Sequence, residues 1–170
     1  MLPSMFQLSV GQMLPSLRQL SQILAKGHAF SDDKKLEAGV LENARLAPDM
    51  FALRRQIHLT VDFAKNGCAR IANVYDAAPK FDDTELTFEE LEARVQKTID
   101  YLETLKPSQF EGTEQQRVVV PLRTRTLDLS VIDFLQRWTL PNFYFHLTTT
   151  YNILRHNGVP VGKQEFLGPL

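Results

Sequence analysis

The sequence predicts an all-α protein, a four-helix bundle with a short β-hairpin before the last helices, in a single domain spanning 1–170. Three observations carry that reading. Four stretches repeat apolar residues at spacings of three and four, the period of a helix with one buried face. The connections between them are modest, so the helices bury their stripes against one another. One segment, 116–129, leaves the helical period and is rich in β-branched residues.

The first helix is expected over 5–26, with Phe6, Val10, Met13, Leu17, Leu20 and Leu24 as its stripe. Pro15 removes a backbone donor and is expected to kink or split it; Gly27 is its expected stop. Residues 28–47 read as a connection with some local helix. The second helix starts at Pro48 and Asp49 and carries Met50, Leu53, Ile57, Val61, Ala64, Cys68, Ile71 and Tyr75. A loop with Pro79 and the acidic run Asp82, Asp83, Glu85 follows. Thr87 and Glu90 form a capping box for the third helix, whose stripe is Leu91, Val95, Ile99, Leu102 and Leu105, and Pro107 ends it. The hairpin at 116–129 contains Pro121, which confines it to an edge or a strand end, and it reads as a surface decoration. Ser130 with Asp133 caps a further helix, 131–139, and Leu140 with Pro141 breaks or kinks the chain.

The last long helix, 140–158, has the clearest start and stop. Proline is best tolerated in the first helical turn, which suits Pro141. Gly158 suits the left-handed residue past the end, and Arg155 and His156 favour the negative C-terminal pole. Phe143, Leu147, Thr150 and Leu154 form the apolar stripe; Asn142, His146, Thr149 and Ile153 run beside it. Phe143, Tyr144 and Phe145 are expected mainly in the core, and Phe166 and Leu167 are expected to dock the tail.

Charge and composition exclude several classes. Nineteen basic and 20 acidic residues give a net charge of −1, without the basic excess of a phosphate-coating nucleic-acid binder. No apolar run is long enough for a membrane span. The uncharged stretch 1–17 lacks the basic start of a secretory signal and is interrupted by Pro3, Gln7, Gln12 and Pro15. Cys68 is the single cysteine, so no intrachain disulfide forms and a cytoplasmic home is expected.

Chemistry-bearing residues are few. His58 and His146 border the stripes of two different long helices, and bundles build metal sites from facing helices. Imidazole suits zinc, nickel, copper or iron. A catalytic zinc site takes three protein ligands and one open position. Asn142, one turn before His146, and Asp62, one turn after His58, are the candidates for the third. The alternative is that both histidines are half-buried and hydrogen-bonded to neighbours. His28 should be exposed beyond a helix-ending glycine. Cys68 reads as core. The acidic run 82–85 lacks calcium-loop spacing and reads as a cap for the third helix. Gly162-Lys163 lacks the upstream glycine of a phosphate loop, and Arg123 and Arg125 read as solvated residues flanking the turn.

The chain resembles a bacterial branch of the DinB/YfiT-like superfamily of four-helix bundles, nearly end to end. The resemblance rests on residues 45–50 (RLAPDM), 81–85 (FDDTE) with 87–91 (TFEEL), 140–146 (LPNFYFH), and 154–158 (LRHNG) followed by Gly162-Lys163 and 166–168 (FLG). It implies an up-down-down-up bundle, often dimeric, with nickel or zinc held by one histidine of the second helix and two on the last long helix. His58 and His146 match two of those positions, and Asn142 stands where the third histidine would be. Two functions follow as expectations. One is a binding or interaction module with a degenerate metal site at His58, His146 and Asn142, holding a divalent metal or none and taking a small molecule in an interhelical cavity. The other is a metal-dependent hydrolase or thiol transferase that activates water or a thiol, its substrate entering near Tyr144 and Pro141.

Overall fold

The computed structural model describes residues 3–169. The chain is mostly helical, with one two-stranded antiparallel hairpin. Its helices are α1 (Met5–Leu8), α2 (Val10–Asp33), α3 (Leu53–Ile71), α4 (Phe88–Thr104), α5 (Val131–Phe134), α6 (Leu140–His156) and α7 (Lys163–Leu167). The strands are β1 (Arg117–Pro121) and β2 (Thr126–Ser130), paired from Arg117 opposite Ser130 to Pro121 opposite Thr126. Helix α3 packs along α6 and α4, and α2 packs along α4 and touches the other two. The buried faces meet in one core that includes Met13, Leu17, Ile57, Val61, Leu91, Val95, Phe143 and Leu154.

The first helix breaks at Ser9, not at Pro15. Ser4 and Gln7 close a capping box on the single turn of α1, Ser9 leaves the helical region at φ −111° and ψ −81°, and α2 then runs through Pro15. Gly27 is not a stop either. It lies inside α2, where an added Cβ would sit 3.1 Å from Leu154 Cδ2 and 3.2 Å from Phe88. Its missing side chain lets α2 approach α4 and α6.

Helix α3 begins at Leu53, five residues after Pro48. Its first N–H groups do not need a side-chain cap, because Leu53 donates to the Ala44 carbonyl and Arg54 to that of Glu42. It ends at Ile71 with Asn73 at φ 56°, and Val74 N–H returns to the Ala69 carbonyl. Tyr75 therefore stands outside the helix, in the single turn Tyr75–Ala77. The end of α6 is built the same way, with Gly158 at φ 94° and Val159 N–H on the Leu154 carbonyl. The expected boxes hold: Thr87 with Glu90 caps α4, and the Ser130 hydroxyl accepts from Asp133 N–H before α5.

Between α5 and α6 the chain does not break at Pro141. It continues through one π-helical turn, Leu135–Thr139, in which Leu140 N–H reaches the Leu135 carbonyl five residues back. Pro141 has no N–H to give, so the residue that ends the π register is the one that cannot continue it. Thr139 closes that turn against Gly67, where a Cβ on α3 would collide with the threonine methyl Cγ2.

That contact yields a test. Gly67→Ala adds a helix-favouring residue worth about 1 kcal/mol in propensity, yet the collision with buried Thr139 should outweigh it, for a net loss of about 1–2 kcal/mol in urea unfolding. Gly67→Ala with Thr139→Ser, which removes the offending methyl, should be more stable than Gly67→Ala alone.

Candidate functional site

The mid-section of α3 divides its side chains between two surroundings. Gln56 and Phe63 face α6, while His58, Asp62 and Lys65 face α4 and the loop 79–85. On the α4 side the organising residue is Arg94, 1% exposed. One guanidinium nitrogen donates to Asp62 Oδ1 at 3.1 Å and Asp83 Oδ1 at 3.0 Å. The other donates to Glu85 Oε1 at 3.1 Å and to the Asp82 carbonyl at 2.9 Å. Phe81 lies over its face at 4.8 Å, and Lys65 meets the same ring at 4.3 Å while donating to the Pro79 carbonyl at 2.8 Å. Arg55 pairs with Asp83. The acidic run is thus not a helix cap; Asp83 and Glu85 turn inward to Arg94.

His58 sits inside this cluster, 3% exposed. Its Nε2 lies 3.1 Å from Glu85 Oε2, poorly aligned for a hydrogen bond, and its Nδ1 lies 3.8 Å from Asp83 Oδ1. Burial and the Arg94 charge push its pKa below the ordinary value, against the pull of Asp83 and Glu85. The three carboxylates Asp62, Asp83 and Glu85 are matched by the three cations Arg94, Arg55 and Lys65. The cluster is neutral with His58 neutral.

His146 belongs to the other side. Its Nδ1 lies 2.7 Å from Gln56 Oε1, and its ring stacks on Phe63 at 5.7 Å. Gln56 donates its amide to the Phe51 carbonyl, which turns Oε1 toward the histidine. Nδ1 therefore carries the proton and Nε2 the lone pair. Burial, then the Arg55 charge, pushes its pKa down to about 4. Asn142 spends its amide N–H on the Trp138 carbonyl of its own helix at 2.7 Å.

These residues do not fit a three-ligand metal centre. His58 faces two carboxylates already neutralised by arginines, Asn142 is turned to the backbone, and His146, whose Nδ1 meets Gln56, stands on the α6 side, apart from the His58 cluster. Among the described residues, no group of three or more His, Cys, Asp or Glu side chains is arranged to hold a metal ion.

Other residues fall as follows. His28 lies within α2, stacked on Phe88 at 5.6 Å and 3.4 Å from Glu89, rather than exposed past a helix end. Cys68 is fully buried, and burial pushes its thiol pKa up, so it is core. Phe145 is solvent-exposed instead of core, Phe166 docks on Tyr151 at 5.6 Å, and Leu167 is exposed. Arg123 and Arg125 are exposed as expected.

A cavity of about 300 Å³ opens on the far side of Asp62, between α3, the π-helical turn and the hairpin. Phe63, Phe134, Trp138 and Leu122 give it apolar walls, and Asp62, Asn66, Arg70, Tyr75 and Thr139 its polar ones. It lies one turn before the Tyr144–Pro141 region where entry was expected. The hairpin is a wall of it rather than a decoration. No helix of the described residues is long and apolar enough to cross a membrane.

The sequence matches the family described as Domain of unknown function (DUF1993) over residues 5–167. The chain belongs to that family. A solved structure of a DinB family member protein from Shewanella denitrificans is 39% identical, with a TM-score of 0.91 over 97% of this chain and 92% of that one. The DUF1993 chain is therefore DinB-like in sequence and in fold. Comparison with curated proteins gives no match.

The His146 environment fixes a pH dependence. Folded His146 stays neutral down to about pH 4, whereas the unfolded residue takes a proton below its ordinary value of 6.5. The unfolded state binds more protons in that window, so this stability is fully present above 6.5 and falls as pH drops toward 4. Unfolding free energy should drop by about 2 kcal/mol between about pH 7.5 and about pH 5 on this account. His146→Asn, which keeps a donor toward Gln56, should show a correspondingly shallower slope in urea titrations.

Proposed function

We propose that this DinB-like protein is a binding module whose family metal position is degenerate, and which holds a small molecule in the cavity beside α3 instead of running metal chemistry. The observation that carries this is the charge-balanced cluster around His58. Where a divalent ion would need carboxylates or free imidazoles, Arg94 already supplies the positive charge. A dication added there would meet a buried guanidinium and carboxylates that are already neutralised. Asn142 in place of a histidine supports the same reading. We read the four long helices as an up-down-down-up bundle of a bacterial cytoplasmic protein able to form a homodimer, on the family resemblance and the single buried thiol.

One observation favours the competing reading, a hydrolase or thiol transferase using nickel or zinc at His58 and His146. His146 donates through Nδ1 to Gln56, the kind of outer contact that orients a metal-binding imidazole.

Metal content of the purified, untagged protein separates the two. Plasma mass spectrometry should find no stoichiometric nickel, zinc or iron, before or after incubation with excess ions, and His146→Ala should not change that. Stoichiometric metal that disappears in His58→Ala or His146→Ala would establish the metalloenzyme reading.

A further inference from the structure

The cavity between α3, the π-helical turn and the hairpin has two features that its walls do not explain. Thr139 is fully buried and lines the cavity, yet its Oγ1 has no hydrogen-bond partner. Thr60, Thr98 and Thr149 return their hydroxyls to the carbonyl four residues back, the usual outlet for a helical threonine. Thr139, at the end of the π turn, does not. Thr150 also lacks a partner, but it is sealed in the core.

The second feature is Arg70, which also lines the cavity. Its guanidinium lies 3.6 Å from the Tyr75 ring centroid, and its Nη1 reaches the Val119 carbonyl at 3.4 Å. The ion pairs of the described residues leave it without a carboxylate. Asp62, across the same cavity, is already paired with Arg94 and Lys65, so it does not call for a cationic ligand. The remaining demand is for an anion at Arg70, an apolar body against Phe63, Phe134 and Trp138, and a polar atom at Thr139. Arginine meets a carboxylate with two donors in a fixed fork, and its stacking on Tyr75 holds that fork in place.

We infer that the cavity is a binding site for a small carboxylic acid with an aromatic or compact aliphatic body, its carboxylate held by Arg70 and its far end reaching Thr139. A volume of about 300 Å³ sets the size at the small end of ligand pockets. The inference rests on the binding-module reading and adds the ligand class to it.

Trp138 is the single tryptophan of the chain and lines the cavity, so its emission reports occupancy without a label. The probes are phenylacetate and its neutral isostere phenylacetamide, titrated to about 10 mM, a range suited to ligands of this size. Phenylacetate should bind about tenfold more tightly than the amide, as expected for a charge-assisted pair. Arg70→Gln should bring the two within about twofold by weakening phenylacetate alone. Arg70→Lys should restore part of the preference, which a merely structural role for Arg70 would not explain. Equal binding of both probes to the native protein, or a preference that survives Arg70→Gln, overturns the carboxylate assignment while leaving the cavity in use. Trp138 emission that responds to neither probe overturns both this inference and the cavity-binding reading beneath it.

Discussion

Arg94 is the residue on which the packing of α3, α4 and the loop 79–85 depends. A guanidinium taken almost wholly out of water is costly, and it is tolerated here because the charge is matched and both terminal nitrogens find acceptors, although Nε has none. Here two nitrogens reach Asp62 on α3, Asp83 and Glu85 on the connecting loop, and the Asp82 carbonyl. The loop 79–85 has little apolar content of its own. It is held because Arg94 and Lys65 grip its carboxylates, its carbonyls and the Phe81 ring from two helices at once. The same grip places Glu85 against His58. One arginine therefore ties α3 to α4, folds the loop and decides what His58 can do.

That dependence separates the two histidines that a sequence reading pairs. His58 and His146 both border apolar stripes, and spacing alone says nothing about which neighbour each one turns to. Two residues along α3, from Gln56 to His58, amount to about 200° of rotation, enough to face different helices. Gln56 goes to His146 and His58 goes to the acidic loop. The space around His58 is filled by a balanced ionic cluster.

Much of the architecture is legible in the sequence because it rests on local signals. The Thr87–Glu90 box, the Ser130–Asp133 cap, the Gly158 terminator and the hairpin are each written within a few residues. The errors share a cause: they needed information from distant parts of the chain. Gly27 looks like a stop until Phe88 and Leu154 are brought against it. Pro141 looks like a break until a π turn shifts the register by one residue ahead of it. The start of α3 is set by carbonyls of Glu42 and Ala44, which no spacing announces. In the site, Arg94 is legible in the sequence. It falls between Leu91 and Val95 on the buried side of α4, where a charge has to be paired, and the acidic run just upstream offers the partners. Thr139 and Gly67 were beyond reach, because their contact exists only once α3 and the π turn meet.

Arg94 thus supplies, beside His58, the positive charge that holds the acidic loop and α3 together. The most direct test is the unfolding free energy of Arg94→Met at neutral pH, with proteolysis of the loop 79–85 followed in parallel. Methionine fills much of the volume but leaves Glu85 without its cation, and Asp62 and Asp83 with only Lys65 and Arg55. The account predicts a loss of roughly 2–3 kcal/mol, somewhat under the range for fully buried pairs because the carboxylates keep some water, and faster cleavage within the loop. Unchanged stability with an equally protected loop would contradict it, and would mean that the cluster is a consequence of the fold and not a support for it.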